Sequence, residues 1–234
     1  MLKLTAPTLD LLKNFASINP NLVIKEGSKF GTISEAKNIM ATAQVTETFD
    51  TTFGIYDLNE FITALGLIDD PGLTFTEDSV NISSEKKEET IKYRFANPAV
   101  LTTPQKEIKM PSADLTLVIS ADCLSKIRKA ASVLGHSILA IQGSPGSKVE
   151  LSIRDPKDSS SNTYTATLDV KHELDQEFSF EFLISNLKLL GGDYKVEISS
   201  KLISHWTHAS VNVAYFIALE KSSTFGQQKQ TAQE

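Results

Sequence analysis

Residues 8–18 read Thr8-Leu9-Asp10-Leu11-Leu12-Lys13-Asn14-Phe15-Ala16-Ser17-Ile18, and their apolar positions 9, 12, 15 and 16 recur at helical spacing. This predicts an amphipathic helix, stopped by Pro20. An echo of the stretch lies at 121–134, where Leu124, Ile127, Ala131 and Leu134 fall on one helical face. Leu9 and Leu12 match Leu124 and Ile127 at the same offset.

Working outward from the first helix, Leu22–Lys25, Lys29–Ile33, Asn38–Val45 and Phe53–Tyr56 read as strands, separated by Glu26-Gly27-Ser28 and by 34–37. A second helix follows over 57–68, with Asp57 as N-cap and Glu60 three residues on. Leu73–Thr76, Val80–Ser83 and Thr90–Phe95 complete a strand meander. The second half repeats that order: a strand at Leu115–Ile119, the helix at 121–134, strands at 137–142, 148–154, 164–170 and 178–184, a short helix over 185–190, then strands at 194–199 and 210–219. The strand-to-helix step Ile55-Tyr56-Asp57-Leu58 is matched by Leu183 to Leu187. Both second helices run into acidic-glycine turns, Asp69-Asp70-Pro71-Gly72 and Gly191-Gly192-Asp193. Duplication of a unit of about 115 residues is the simplest account. The fold class is α+β: two duplicated domains, each with helices on one face of antiparallel sheets. The expected boundaries are 1–96, a connector at 97–112 carrying three prolines, 113–221, and a polar, Gln-rich flexible tail at 222–234.

Composition bounds the function. Of 234 residues, 41% are apolar and 22% charged, enough to bury a core. No secretory leader pattern appears, and no apolar run approaches the ~18 residues of a membrane span, so a cytoplasmic protein is expected. Cys123 is the single cysteine and has no internal disulfide partner. The net charge of −6 opposes simple nucleic-acid binding. Potential is local, however, and decays over ~8 to 10 Å at physiological salt, so the placement of cations matters more than their total.

Chemistry-bearing motifs are sparse. His205-Trp206-Thr207-His208 offers two imidazoles without a third ligand in a metal-binding pattern, so a loop or strand end with a half-buried Trp is expected there. Gly143-Ser144-Pro145-Gly146-Ser147-Lys148 fails the spacing of a phosphate loop and precedes a strand, which favours a hairpin turn. Cys123 has cationic neighbours but no His or Asn partner evident in the sequence. No catalytic residue, metal ligand or cofactor is expected.

The duplicated unit and connector, together with Leu11-Leu12-Lys13-Asn14-Phe15-Ala16-Ser17-Ile18-Asn19 and Ile55-Tyr56-Asp57-Leu58-Asn59, resemble the sliding clamps of T-even-type bacteriophages over nearly the whole chain. The second half resembles them in layout more than in wording. The resemblance implies a non-enzymatic DNA polymerase processivity factor acting in the cytoplasm of the infected host cell. Three copies would close head to tail into a homotrimeric ring, with helices lining the hole and sheets forming the wall. It would encircle duplex DNA without sequence preference, be loaded by an ATP-dependent clamp loader and hold the polymerase by its C-terminal peptide. The alternative from another class is a non-catalytic phage scaffold or assembly module that does not bind DNA.

A ring that slides must touch phosphates without reading bases. The cations available for that are Lys3, Lys13, Lys126, Arg128, Lys129 and Lys188. Such charges also suit a helix face that is merely solvated. The second helix departs from the pattern, with no Lys or Arg. For the partner peptide, clamps of this kind use an apolar pocket beside the connector. Val100, Leu101, Ile108 and Met110 supply apolar side chains there, with Phe216 as the pocket floor. The same residues would equally serve to pin the connector to the core.

Overall fold

Alternation of apolar and polar side chains builds most of this molecule, as in the run Met40 to Phe49, where buried and exposed positions exchange almost residue by residue. The computed structural model describes residues 1–86, 88–158 and 160–226. Contacts divide the chain into two units. The first comprises Met1–Glu107 with two short segments, Lys188–Leu190 and Val211–Tyr215, and the second comprises Ile108–Leu187, Gly191–Ser210 and the chain from Phe216 onward. The division falls inside the expected connector.

Unit 1 contains α1 (Ala6–Ile18), β1 (Leu22–Ile24), β2 (Gly27–Ile33), β3 (Ile39–Phe49), β4 (Phe53–Ile55), α2 (Leu58–Leu65), β5 (Gly72–Phe75), β6 (Ser79–Ser83) and β7 (Thr90–Arg94). β1 pairs with β4, β2 with β3, and β5-β6-β7 form a meander with β7 at its edge. Leu2 bridges to Leu73. α1 packs on β2, β3 and α2. The core is aromatic, with Phe49 and Phe53 each in ring contact with Phe75, and Phe53 stacked on Phe95 at 4.8 Å between centroids.

Unit 2 contains β8 (Leu115–Ile119), α3 (Ala121–Leu134), β9 (Ile138–Gly143), β10 (Lys148–Arg154), β11 (Tyr164–Lys171), β12 (Phe178–Leu183), β13 (Tyr194–Ser199), β14 (Ile203–His208), the Phe216–Ala218 end of β15 (Val213–Ala218), and β16 (Thr224–Phe225). One sheet runs β11-β10-β9-β12-β16, with β11 at its edge, and β8-β13-β14 belong to another with β15 beside β14. α3 packs on β10. Every register described is antiparallel.

The duplication is visible in the pairings themselves. β9 with β12 repeats β1 with β4, β10 with β11 repeats β2 with β3, and β8 with β13 repeats the Leu2–Leu73 bridge.

Four expectations need correction. The second helix is shorter than 57–68, because Asp57 caps it by accepting from the backbone N–H of Asn59 (2.9 Å) and Glu60 (3.3 Å), and Gly66 ends it. No helix spans 185–190. A 3₁₀ turn at Ile184–Asn186 is followed by irregular chain in which Leu187 and Leu189 are both buried. His205-Trp206-Thr207-His208 is the body of β14, not a loop or strand end, and Trp206 is fully buried rather than half-buried, its indole N–H donating to Ser204 Oγ at 2.9 Å. The tail does not begin at 222, because Thr224 and Phe225 pair with Ser179 and Phe178; residues 227–234 lie outside the described residues.

Candidate nucleic-acid and partner interfaces

α1 begins at a Pro-containing first turn whose N-cap, Thr5, makes no side-chain cap bond. Its role falls to Glu47 of β3, which is buried and accepts from the Thr5 backbone N–H and the Thr8 hydroxyl, each at 2.6 Å. Burial pushes the Glu47 carboxyl up, but the hydrogen bonds from Thr8 and Thr5 outweigh it and hold the group below its ordinary value. A carboxylate at this end also suits the helix dipole. At the other end, the Lys188 ammonium donates to the Ser17 carbonyl, and Asn14 donates to the Lys188 carbonyl at 3.0 Å. The Tyr215 hydroxyl fixes Asn14 at 2.7 Å. Lys188 therefore sits on irregular chain, its ammonium at the C-terminal end of α1, where a cation is favoured.

Lys13 is exposed on α1 with Asp10 at 3.3 Å, and Lys3 is paired with Asp70. That hydrogen bond to Asp70 raises the Lys3 ammonium above its ordinary value. α2 exposes Asn59, Glu60 and Thr63 and no cation.

α3 is set by a conventional cap, the Ser120 hydroxyl accepting from Cys123 N–H at 3.2 Å, and by Asp193, which accepts from Ala121 N–H at 2.7 Å. Gly135, with φ 70°, takes the left-handed C-terminal position that a side chain rarely adopts. Leu124, Ile127 and Ala131 are buried, whereas Lys126, Arg128 and Lys129 are exposed. Lys126 pairs with Asp122 at 2.7 Å, a bond that raises its ammonium further, and Arg128 donates to the Leu187 carbonyl at 2.9 Å. Lys129 has no carboxylate within 4.0 Å among the described residues. The three cations thus share one helix, while Lys3, Lys13 and Lys188 belong to unit 1.

Of the five residues expected at a partner pocket, Leu101 is buried. Its side chain fills the space over Gly54, where an added Cβ would stand 2.7 Å from it, and Gly54 itself bridges to Ala96. Val100 is 70% exposed, Ile108 is 36% exposed and Met110 is half-buried. Phe216 is half-buried and stacks on His205 at 4.5 Å, a contact that periodicity could not reveal. His205 also meets Glu197 at 3.3 Å, and a hydrogen bond from Lys195 in first place, helped by His205, lowers the Glu197 carboxyl. The large groove of unit 2, about 980 Å³, lies elsewhere: Gln142, Lys148, Glu150, Arg154, Ser179 and Glu181 line it, and none of the five does.

The remaining motifs resolve simply. Residues 143–148 make the β9–β10 hairpin turn, with Ser147 N–H donating to the Ser144 carbonyl at 2.9 Å. Burial, reinforced by Asp122, raises the Cys123 thiol, the opposite of activation. His205 and His208 lie on opposite faces of β14, and His208 contacts the Gly191 carbonyl at 3.0 Å.

Comparison with known proteins joins these features. Residues 5–103 match the family model described as DNA polymerase processivity factor, and residues 116–221 match that of the gp45 sliding clamp, C terminal. The chain is 31% identical over 223 residues to a sliding clamp of Vibrio phage KVP40, covering 94% of this chain and 99% of the relative. It is 30% identical to a sliding clamp of Enterobacteria phage T4, covering 95% and 99%. Among solved structures, the proliferating cellular nuclear antigens of Entamoeba histolytica and Thermococcus kodakaraensis each superpose with a TM-score of 0.66. They share 15% and 14% identity, cover 91% of this chain, and are covered over 94% and 95% of their own lengths, a likeness of fold.

Proposed function

The chain belongs to the phage sliding-clamp family of DNA polymerase processivity factors, and from that premise we propose that it works as a closed homotrimer around duplex DNA. The observation that carries the reading is the end-to-end match to phage sliding clamps, with consecutive family models on the two halves. The clamp encircles the duplex and tethers the replicative polymerase, conferring processivity by keeping the enzyme at high effective concentration near its template. It needs no catalytic group, and none is assigned. A scaffold that ignores DNA has no comparable support.

Two edges favour ring closure. β7 ends one sheet of unit 1 and β11 ends one sheet of unit 2, and neither has an outer strand among the described residues. Pairing β7 of one protomer with β11 of the next gives a heterologous contact, which closes when the rotation divides a full turn. With two units per chain, three chains make a six-domain ring. Native mass spectrometry is expected to find a trimer, and a monomer at micromolar concentration would sink the ring.

Lys3, Lys13, Lys126, Arg128, Lys129 and Lys188 supply the phosphate contacts in this reading, and an ATP-dependent loader opens the ring in the cytoplasm of the infected cell. The polymerase C-terminal peptide docks by the connector in this reading, with Val100, Ile108, Met110 and Phe216 as its apolar anchors. Phe216→Ser is expected to weaken peptide affinity by about tenfold, the scale of one interface anchor, while ring mass and melting temperature hold. Unchanged affinity would place the pocket elsewhere.

A further inference from the structure

In unit 2, four strands each place one polar residue in a single row across the sheet. Glu150 of β10 pairs in register with Gln142 of β9, Gln142 with Ser179 of β12, and Ser179 with Thr224 of β16. The alternate residues of β10, Val149, Leu151 and Ile153, are fully buried, so the row stands on the opposite face of the sheet. That face holds the groove of about 980 Å³, which all four residues of the row line. The last described stretch of chain closes one side of it: the Ser222 hydroxyl donates to Glu181 Oε2, and Ser223 Oγ accepts from the Glu181 N–H at 2.9 Å.

The charges of the groove do not balance. Its two cations are Lys148 and Arg154, and both are already engaged. Arg154 pairs with Glu181, which is only 4% exposed. Lys148 turns to Asp169 of β11 at 2.6 Å, and that hydrogen bond holds the Asp169 carboxyl below its ordinary value. Glu150 and Glu177 are left over, with no cation within 4.0 Å among the described residues. Glu177 lies two residues before Ser179 and two strands from Glu150, which puts their Cα atoms about 12 Å apart. Two residues four apart in an extended chain lie on one side of it and are separated by about 13 Å. Hydroxyls and the Gln142 amide between the carboxylates suit the main chain of such a segment and offer nothing to an apolar anchor.

We propose that this groove is a second docking surface, separate from the connector, and that it takes an extended cationic segment of a partner protein, with Glu150 and Glu177 each meeting a Lys or Arg four residues apart. Complementary charge selects the partner and fixes its register. The surface lies wholly within unit 2 and needs no closed ring.

The test is fluorescence anisotropy of short labelled serine peptides carrying two lysines, set either four residues apart or side by side, titrated with the purified full-length protein at low salt. The spaced peptide is expected to bind more tightly. Glu150→Gln with Glu177→Gln is expected to weaken it about fivefold, the scale of two modest ion pairs. Neither carboxylate makes a side-chain hydrogen bond among the described residues, so the melting temperature holds. Lys148→Ala takes a cation from the groove and is expected to tighten binding. Glu60→Gln with Asp69→Asn removes the same charge from α2 and the turn after it, and leaves binding unchanged. Equal affinity for the two peptides, or as large a loss in the α2 control, assigns binding to the general negative charge of the chain and overturns the groove. No binding by wild type overturns the partner assignment; if Lys229→Ala then restores it, the occupant is the chain's own end. Native mass, measured alongside, reports on the ring independently of these outcomes.

Discussion

At the residue scale, caps show where local spacing speaks and where it is silent. Asp57 was legible as an N-cap because its partners lie two and three residues ahead. Glu47 was not, because the helix it serves begins about 40 residues earlier and only the fold brings β3 to α1. Removing this carboxylate strands the buried Thr8 hydroxyl and takes the acceptor from the Thr5 N–H, so Glu47→Ala is expected to cost about 2 kcal/mol at neutral pH. The pH dependence has a definite sign. Since folding holds the Glu47 carboxyl below its ordinary value of 4.5, the stabilisation is complete above that value and fades as pH falls through the lower folded one. Urea midpoints of wild type and Glu47→Gln are therefore expected to differ at pH 7 and to converge in acid. A constant gap across that range would assign the effect to packing.

At the element scale, most strands and the helices α1 and α3 followed from periodicity, and the failures share a physical origin. Leu187, Leu189 and Leu190 suggest a helical stripe, yet Gly191-Gly192 follow at once, and Leu187 and Leu189 are buried from irregular chain after a single 3₁₀ turn. β14 hid for the opposite reason, because its buried positions include Ser204 and His208, whose polar atoms are satisfied within the fold. Trp206 anchors that strand, edge-on to Phe182 and Tyr194. It is the chain's only tryptophan, so its emission should be blue-shifted in the folded protein and report the opening of unit 2. Trp206→Ala should remove about 3 to 5 kcal/mol through the cavity it leaves, with circular dichroism following the loss. A melting curve matching that of wild type would mean that the strand stands without it.

At the scale of the whole molecule, a net charge of −6 coexists with a cationic α3, which no composition count could resolve, because it depends on which helix faces are left uncovered. The ring's own seam depends on charge in the same local way. β7 exposes Lys92 and Arg94, each paired within its own unit to Asp78, and β11 exposes Thr165, Thr167 and Asp169. If those edges meet across protomers, replacing Thr165 and Thr167 by Arg sets cations against cations at two exposed positions. Neither change touches the apolar face of β11, so each unit keeps its melting temperature while the trimer dissociates more readily at low salt. Added salt should restore the trimer, because repulsion between exposed charges is screened beyond roughly 8 Å at physiological ionic strength. Sedimentation across a salt series reads this directly: a trimer as tight as wild type at low salt would place the seam on other strands, and dissociation that salt fails to reverse would implicate a folding defect.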